Sequence, residues 1–97
     1  MEEDKNQEIQ FLEQHIQGIL YQKQTLEIEL VEVEAALKEL EKSGEEVYKI
    51  IGQMMLKSDK GEMKKELGEK KDKANSNLKL LQEQEDSLKQ SLDKLKK

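Results

Sequence analysis

The chain has no cysteine, no arginine and no long apolar run, and each absence removes a class of protein. Without Cys, neither a disulfide framework nor a thiolate metal site can form, and a reducing compartment is the easier assumption. No window approaches the apolar length that spans a bilayer, and the acidic start MEEDKNQEIQ lacks the positive charge of a secretory signal. We therefore expect a cytoplasmic protein that does not insert into a membrane.

The charge balance argues against nucleic acid as a partner. All 17 basic residues are Lys, and the formal net charge is −5. Recognition of phosphates and base edges depends largely on the Arg guanidinium fork and on a basic surface. We expect no nucleic-acid partner, although salt-sensitive RNA binding would revive the alternative of a helical arm that serves a nucleic-acid enzyme.

What the chain does contain is charge, at 40% of its 97 residues, against 34% apolar residues. Such a chain is at most one domain and cannot enclose a conventional globular core, so its apolar residues must line a seam. A composition this polar is typical either of disorder or of long helices, and apolar periodicity distinguishes the two.

A strict heptad pattern occupies the first part of the chain. Apolar residues fill nine of ten successive core positions from Ile9 to Leu40. A repeat kept over more than four heptads specifies a left-handed coiled-coil seam. Asp4 begins a pattern that resembles a capping box, and Ser43-Gly44 supplies a stop signal. Helix one is therefore predicted over residues 5–42.

A second heptad pattern extends from Leu67 to Leu95, after a capping-box signal at Asp59. Two of the four positions that alternate with these seam residues are charged, one of them Glu85, so the second seam is weaker than the first. Helix two is predicted over residues 61–97.

The two helices are predicted to fold back on each other within one chain. Residues 1–46 carry 13 acidic residues and 4 Lys, whereas residues 47–97 carry 9 acidic residues and 13 Lys. Antiparallel pairing of two helices of similar length, each about 55 Å, brings these opposite charges together. A parallel dimer of the first helix would instead oppose like charges, so we favour the intrachain pair.

Residues 46–58 are predicted to form a β-hairpin. The run VYKIIGQMML is rich in β-branched and aromatic residues and too short for an independent helix. Gly52 fits the first central position of a two-residue type II′ turn, which would place Ile51 opposite Met54. Both faces are then apolar and both edges open, so we interpret the hairpin as an assembly element rather than a small plug on the coil. The assembly residues are Val47, Tyr48, Ile50, Ile51, Gly52, Met54, Met55 and Leu56.

The order coiled coil, single β-hairpin, coiled coil resembles a β-type prefoldin subunit, and so does the local sequence. QKQ stands at residues 22–24, VYKIIG at 47–52 matches the family pattern VYKxxG, and MMLK at 54–57 stands where the family has an aliphatic strand ending in Lys. The resemblance covers residues 9–95. It implies a mainly α fold in one prefoldin-like domain over residues 1–97, with a long antiparallel coiled coil, an inserted β-hairpin, and hairpins that assemble into a barrel in the oligomer.

The resemblance also implies a function. Prefoldin is an ATP-independent molecular chaperone, a hexamer of two α-type and four β-type subunits that binds non-native proteins at the coil tips and passes them to a group II chaperonin. The expected partners are an α-type subunit, further β-type copies, unfolded proteins and a group II chaperonin, with no cofactor.

In an antiparallel helical hairpin the two chain ends share one tip, and this tip is the predicted client site. Phe11 lies off the seam and should be partly exposed, which suits weak contact with apolar segments of other proteins. The alternative is that the seam residues merely close the coil, and the resemblance favours client binding. The predicted client-binding residues are Ile9, Phe11, Leu12, Ile16, Leu88, Leu92 and Leu95.

Isolated polar residues offer little chemistry. Lys23, alone in the first seam, either fixes the register or extends its charge to solvent, and we prefer the second. His15 has no second His or Cys nearby, so we expect a solvated side chain and no metal site. Glu27 and Glu29 point in different directions on a helix and cannot form a carboxylate pair. We expect no enzymatic activity, and a structural coiled-coil adaptor is the alternative function.

Overall fold

A computed structural model describes residues 2–97, which form two long helices separated by a two-stranded hairpin. Helix α1 spans Glu2–Lys42, strand β1 spans Glu46–Ile51, strand β2 spans Met54–Asp59, and helix α2 spans Lys60–Lys96. The predicted fold class is confirmed in its element order: a mainly helical chain with one β-hairpin inserted between its two helices.

Local capping explains where α1 ends and α2 begins. The Ser43 hydroxyl donates to the Leu40 carbonyl oxygen at 2.7 Å, and the Ser43 backbone N–H donates to the same oxygen at 3.2 Å. At the start of α2, the Asp59 carboxylate accepts the backbone N–H of Glu62 at 2.7 Å. Asp59 is therefore the N-cap of α2, and the capping signal read from the sequence there is correct.

The capping signal read at Asp4 is wrong. Helix α1 already begins at Glu2, three residues before the predicted start, so Asp4 lies inside the helix and does not cap it. A run of acidic residues is favourable in a first helical turn because it faces the positive end of the helix dipole, and this removes the need for a cap at Asp4.

The described residues cluster into two compact units. We call residues 2–27 with 76–97 the terminal unit, and residues 28–75 the hairpin unit. Within the part of the chain that the structure describes, neither helix is apolar enough over a sufficient length to cross a membrane.

The terminal unit buries its seam. Ile16 and Ile19 are 7% and 2% exposed. Leu12 lines one groove together with Leu95, and Leu26 lines another together with Leu81. Later residues of α1 thus meet earlier residues of α2, so the two helices run antiparallel in this unit.

The hairpin unit has a seam of its own. Its buried apolar side chains are Val33, Leu40 and Ala74. The Lys60 ammonium donates to the carbonyl oxygens of Glu41 and Ser43, each at 3.2 Å, and so binds the start of α2 to the end of α1. Further along, Lys71 lies 3.8 Å from Glu34. The order of these contacts again corresponds to antiparallel helices.

The hairpin has the predicted register. Ile51 pairs with Met54, and the ladder continues in step to the pair of Glu46 and Asp59. Gly52 has a φ of 60°, and no non-glycine residue in the described chain has a positive φ. A type I′ turn would need positive φ at both central residues, so the turn is type II′, as predicted.

Candidate functional site: two exposed apolar surfaces

The first candidate site is the hairpin surface, which is exposed on both faces. It consists of the residues Val47, Tyr48, Ile50, Ile51, Gly52, Met54, Met55 and Leu56. Its large apolar side chains are between 40% and 69% exposed, except for Val47, which is half-buried. Because paired residues point to the same side of a ladder, Ile51 and Met54 share one face and Ile50 and Met55 share the other. All four of these side chains are at least 52% exposed.

Two ion pairs support the hairpin surface. The Lys49 ammonium lies 2.7 Å from the Glu66 carboxylate and connects β1 to α2. The Lys57 ammonium lies 2.9 Å from the Glu46 carboxylate on the other strand. Exposed pairs of this kind contribute only about 0–1 kcal/mol, and an isolated two-stranded sheet is marginal in water. The two strands therefore contribute little to the stability of the hairpin by themselves.

The second candidate site is the tip groove in the terminal unit. Its lining comprises Asp4, Gln7, Glu8, Phe11, Leu12, Ser91, Lys94 and Leu95. Phe11 is 67% exposed, as expected for a side chain off the seam, and its ring and the His15 ring lie edge to face at a centroid distance of 6.2 Å. The sequence reading missed this aromatic contact, although a spacing of four residues on a helix places two side chains on one face.

The seven residues predicted to contact clients differ in exposure. The half-buried members are Ile9, Leu12, Leu88, Leu92 and Leu95. Phe11 is exposed, and it shares the tip groove with Leu12 and Leu95. Leu88 instead lines a second groove beside His15. Ile16 is 7% exposed, so it supports the seam and offers no surface in this conformation.

A polar cluster interrupts the seam of the terminal unit. The Lys23 ammonium donates to the Gln82 side-chain oxygen at 2.6 Å and to the Glu85 carboxylate at 2.9 Å. The other Glu85 oxygen lies 2.6 Å from the Lys89 ammonium. Glu85 is only 4% exposed, so its charge is compensated by contacts rather than by bulk water. The prediction that Lys23 extends its charge to solvent is wrong, because the antiparallel register places a carboxylate opposite it.

The contacts in the cluster change the proton affinity of Glu85 and Lys89. The hydrogen bond from Lys89, followed by the one from Lys23, lowers the pKa of Glu85 below its ordinary value, against the opposing effect of burial. The same hydrogen bond to Glu85 raises the pKa of Lys89. Both shifts favour the charged forms, so Glu85 and Lys89 are ionised at neutral pH.

Comparison with known proteins extends over nearly the whole chain. The family model described as prefoldin subunit matches residues 3–97. The prefoldin subunit beta of Methanothrix thermoacetophila is 38% identical over 90 residues, which cover 91% of this chain and 75% of that protein. The prefoldin subunit beta of Archaeoglobus fulgidus is 38% identical over 85 residues, which cover 86% of this chain and 73% of that protein.

The three-dimensional likeness is equally broad. The crystal structure of the prefoldin beta subunit from Thermococcus strain KS-1 aligns with a TM-score of 0.88 and 30% sequence identity, covering 97% of this chain and 84% of that one. The resemblance that VYKIIG and its flanking coils indicate is therefore confirmed by sequence and by fold, and the chain belongs to the prefoldin family.

Proposed function

We propose that this chain is a subunit of an ATP-independent molecular chaperone of the cytoplasm, which binds non-native proteins at the tip groove and delivers them to a group II chaperonin. The observation that carries the proposal is the 67% exposed Phe11 beside half-buried Leu12 and Leu95, in a prefoldin family member. A partly open apolar groove with charged side chains at its rim suits weak contact with many unrelated apolar segments.

The proposal includes assembly through the hairpin surface with an α-type subunit and further β-type copies, as a hetero-hexamer. Two exposed apolar faces and two open strand edges support it, because such a hairpin invites additional strands. Closing several hairpins into a barrel would pair the open edges and cover an apolar face.

The client-binding part is tested by removing the tip. Deletion of residues 1–12, or the single change Phe11→Ser, should abolish or weaken the suppression of aggregation when chemically unfolded proteins are diluted without ATP. The matched control is Val31→Ser, since Val31 is also 67% exposed but belongs to the hairpin unit. If both tip variants suppress aggregation as well as the wild type does, with the oligomer intact, the client-binding proposal is wrong.

The alternative is a structural coiled-coil adaptor, which the burial of Ile16 and the half-burial of the other seam residues favour. An adaptor would bind one folded partner, whereas a chaperone would hold several unrelated unfolded proteins. The aggregation assay is therefore run with at least three unrelated clients. Transfer of a held client to a purified group II chaperonin tests the delivery step.

A further inference from the structure

Beyond the tip, we propose that the terminal unit holds an extended, uncharged apolar segment of a non-native polypeptide along one side of its helix pair. The surface, which we call the side strip, follows Phe11, His15, Leu80, Gln84 and Tyr21. This inference rests on the proposed chaperone function and extends its client surface from the tip along the helices.

Three neighbouring grooves of the terminal unit are linked by a ring contact and by two shared residues. Phe11 lines the tip groove and contacts the ring of His15. His15 shares the next groove with Leu80 and Gln84. Leu80 and Gln84 also line the third groove, together with Tyr21. The ring contact and the two shared residues together define a path from the tip to Tyr21.

The third groove, here called the inner groove, has a lining without charge. The residues are Tyr21, Gln22, Thr25, Leu26, Asn77, Leu80, Leu81 and Gln84. No Asp, Glu or Lys is among them, although 40% of the chain is charged. Tyr21 is 70% exposed and Leu80 is 57% exposed, so the apolar part is accessible.

This lining fits an extended peptide segment. Its apolar side chains can cover an apolar stretch, while its amide and hydroxyl groups can bond the free backbone N–H and C=O groups of a chain that lacks secondary structure. A charged segment would lose hydration there without gaining an opposite charge. The chemistry therefore selects the uncharged apolar stretches that a folded protein would bury.

The size of the inner groove favours a transient occupant over a second copy of the chain. Stable protein interfaces use about 20–30 residues on each side. The inner groove has eight lining residues, of which Tyr21 and Leu80 are the exposed large apolar ones. The path from Phe11 to Leu26 is about 22 Å long at 1.5 Å per helical residue, which an extended segment of about seven residues would cover.

Site-specific crosslinking tests the side strip directly, because the chain has no Cys to interfere with labelling. Gln7→Cys places a benzophenone label in the tip groove and Thr25→Cys places one in the inner groove. Gln17→Cys is the control, since Gln17 is exposed on α1 and lines none of the three grooves. Each labelled 97-residue chain, in the oligomer it forms, is irradiated with a reduced and alkylated model protein that cannot refold.

We expect crosslinks to the model protein from Gln7→Cys and Thr25→Cys, and far fewer from Gln17→Cys. Crosslinks from Gln7→Cys alone would overturn the side strip and leave the tip function standing. Crosslinks from neither groove would overturn the chaperone proposal as well. Crosslinks from Thr25→Cys to another copy of this chain would assign the inner groove to a subunit interface and overturn the side strip.

A matched pair of substitutions gives an independent measurement. Leu80→Gln removes an apolar side chain from the strip, and Leu20→Gln makes the same change at a 39% exposed residue of the same unit outside the three grooves. The dissociation constant for the unfolded model protein should rise about five-fold for Leu80→Gln, because part of one apolar contact is lost. For Leu20→Gln it should stay near the wild-type value. Equal values for the two variants, with unchanged thermal unfolding, would contradict the proposal.

Discussion

At the scale of single residues, Lys23 and Glu85 set the alignment of the two helices in the terminal unit. Their charged groups meet at 2.9 Å inside an otherwise apolar seam. A slip of one heptad would put Lys23 against the seam position of Leu78 or Leu92 and leave Glu85 with Lys89 alone. The pair therefore specifies one register, whatever its net contribution to stability.

The pair predicts a particular pattern of mutant stabilities. Glu85→Leu alone should lower the midpoint of thermal unfolding by several degrees, because it leaves the Lys23 ammonium in the seam without its carboxylate. Lys23→Leu should also lower it, because it removes one of the two ammonium groups that compensate the buried Glu85 charge. The double variant should recover to wild type or above, since an apolar pair of similar volume avoids the desolvation of two charges. Helical circular dichroism measures all three, and strictly additive losses would show that the two residues are uncoupled.

Glu85 also predicts how stability depends on pH. Its pKa in the folded chain lies below the ordinary value of 4.5, so the unfolded chain takes up the proton more readily as the solution becomes acidic. The stability from the ionised form is present above about pH 4.5 and is lost as pH falls through the lower folded-state pKa.

Thermal unfolding measured from pH 6 to about pH 3 should thus decline more steeply for the wild type than for Glu85→Gln, which has no such proton to bind. The control is Glu83→Gln, an exposed position on the same helix, which should follow the wild-type curve. Parallel curves for wild type and Glu85→Gln would show that this carboxylate is not responsible for the stability that is lost at acidic pH.

At the scale of elements, two glycines should respond oppositely to the same substitution. Gly52 has a φ of 60°, so Gly52→Ala forces a left-handed conformation at a cost of about 1–2 kcal/mol. Gly68 lies inside α2 with open space around an added Cβ, so Gly68→Ala should stabilise by about 0.5–1 kcal/mol. Chemical denaturation measures both free energies of unfolding, and a change of the same sign at both positions would contradict this account.

Most of the secondary structure could be predicted from the sequence because its signals are local. Heptad spacing predicts both helices, and Asp59 predicts the start of α2. Gly52 predicts the turn and with it the register of the hairpin. The start of α1 could not be predicted in the same way, because acidic residues ahead of Asp4 are favourable in a first helical turn and extend the helix past the predicted cap.

The candidate surfaces also differ in whether local sequence signals are enough to predict them. The hairpin surface and the exposure of Phe11 follow from positions within one element, and both could be inferred from the sequence. The partner of Lys23 and the lining of the inner groove depend on which residues of α1 stand opposite which residues of α2. Tyr21 and Leu80 are off the seam on separate helices, so only the register of the pair brings them to one groove.

At the scale of the whole molecule, we predict that the hairpin face with Ile50 and Met55 is needed for assembly. Ile50 and Met55 are cross-strand partners that are 69% and 67% exposed. Replacing both by Lys should reduce the assembly to smaller species in native mass spectrometry, because burying two ammonium groups on an apolar face is costly. Val31→Lys, at a 67% exposed apolar residue of the same unit, should leave the mass unchanged. An unchanged mass for the double variant would contradict assembly through this face.

The antiparallel pairing of the terminal unit also fixes the order in which the molecule is completed during synthesis. Lys23 and Glu85 are 62 positions apart, so at 5–20 residues per second a ribosome makes the carboxylate about 3–12 s after the ammonium. The hairpin, by contrast, closes within the short span 46–59, and isolated hairpins form in about 1–10 μs. The residues of the hairpin surface are thus synthesised before Ser91, Lys94 and Leu95 of the tip groove, so under the proposed function contact with partner subunits can precede client binding.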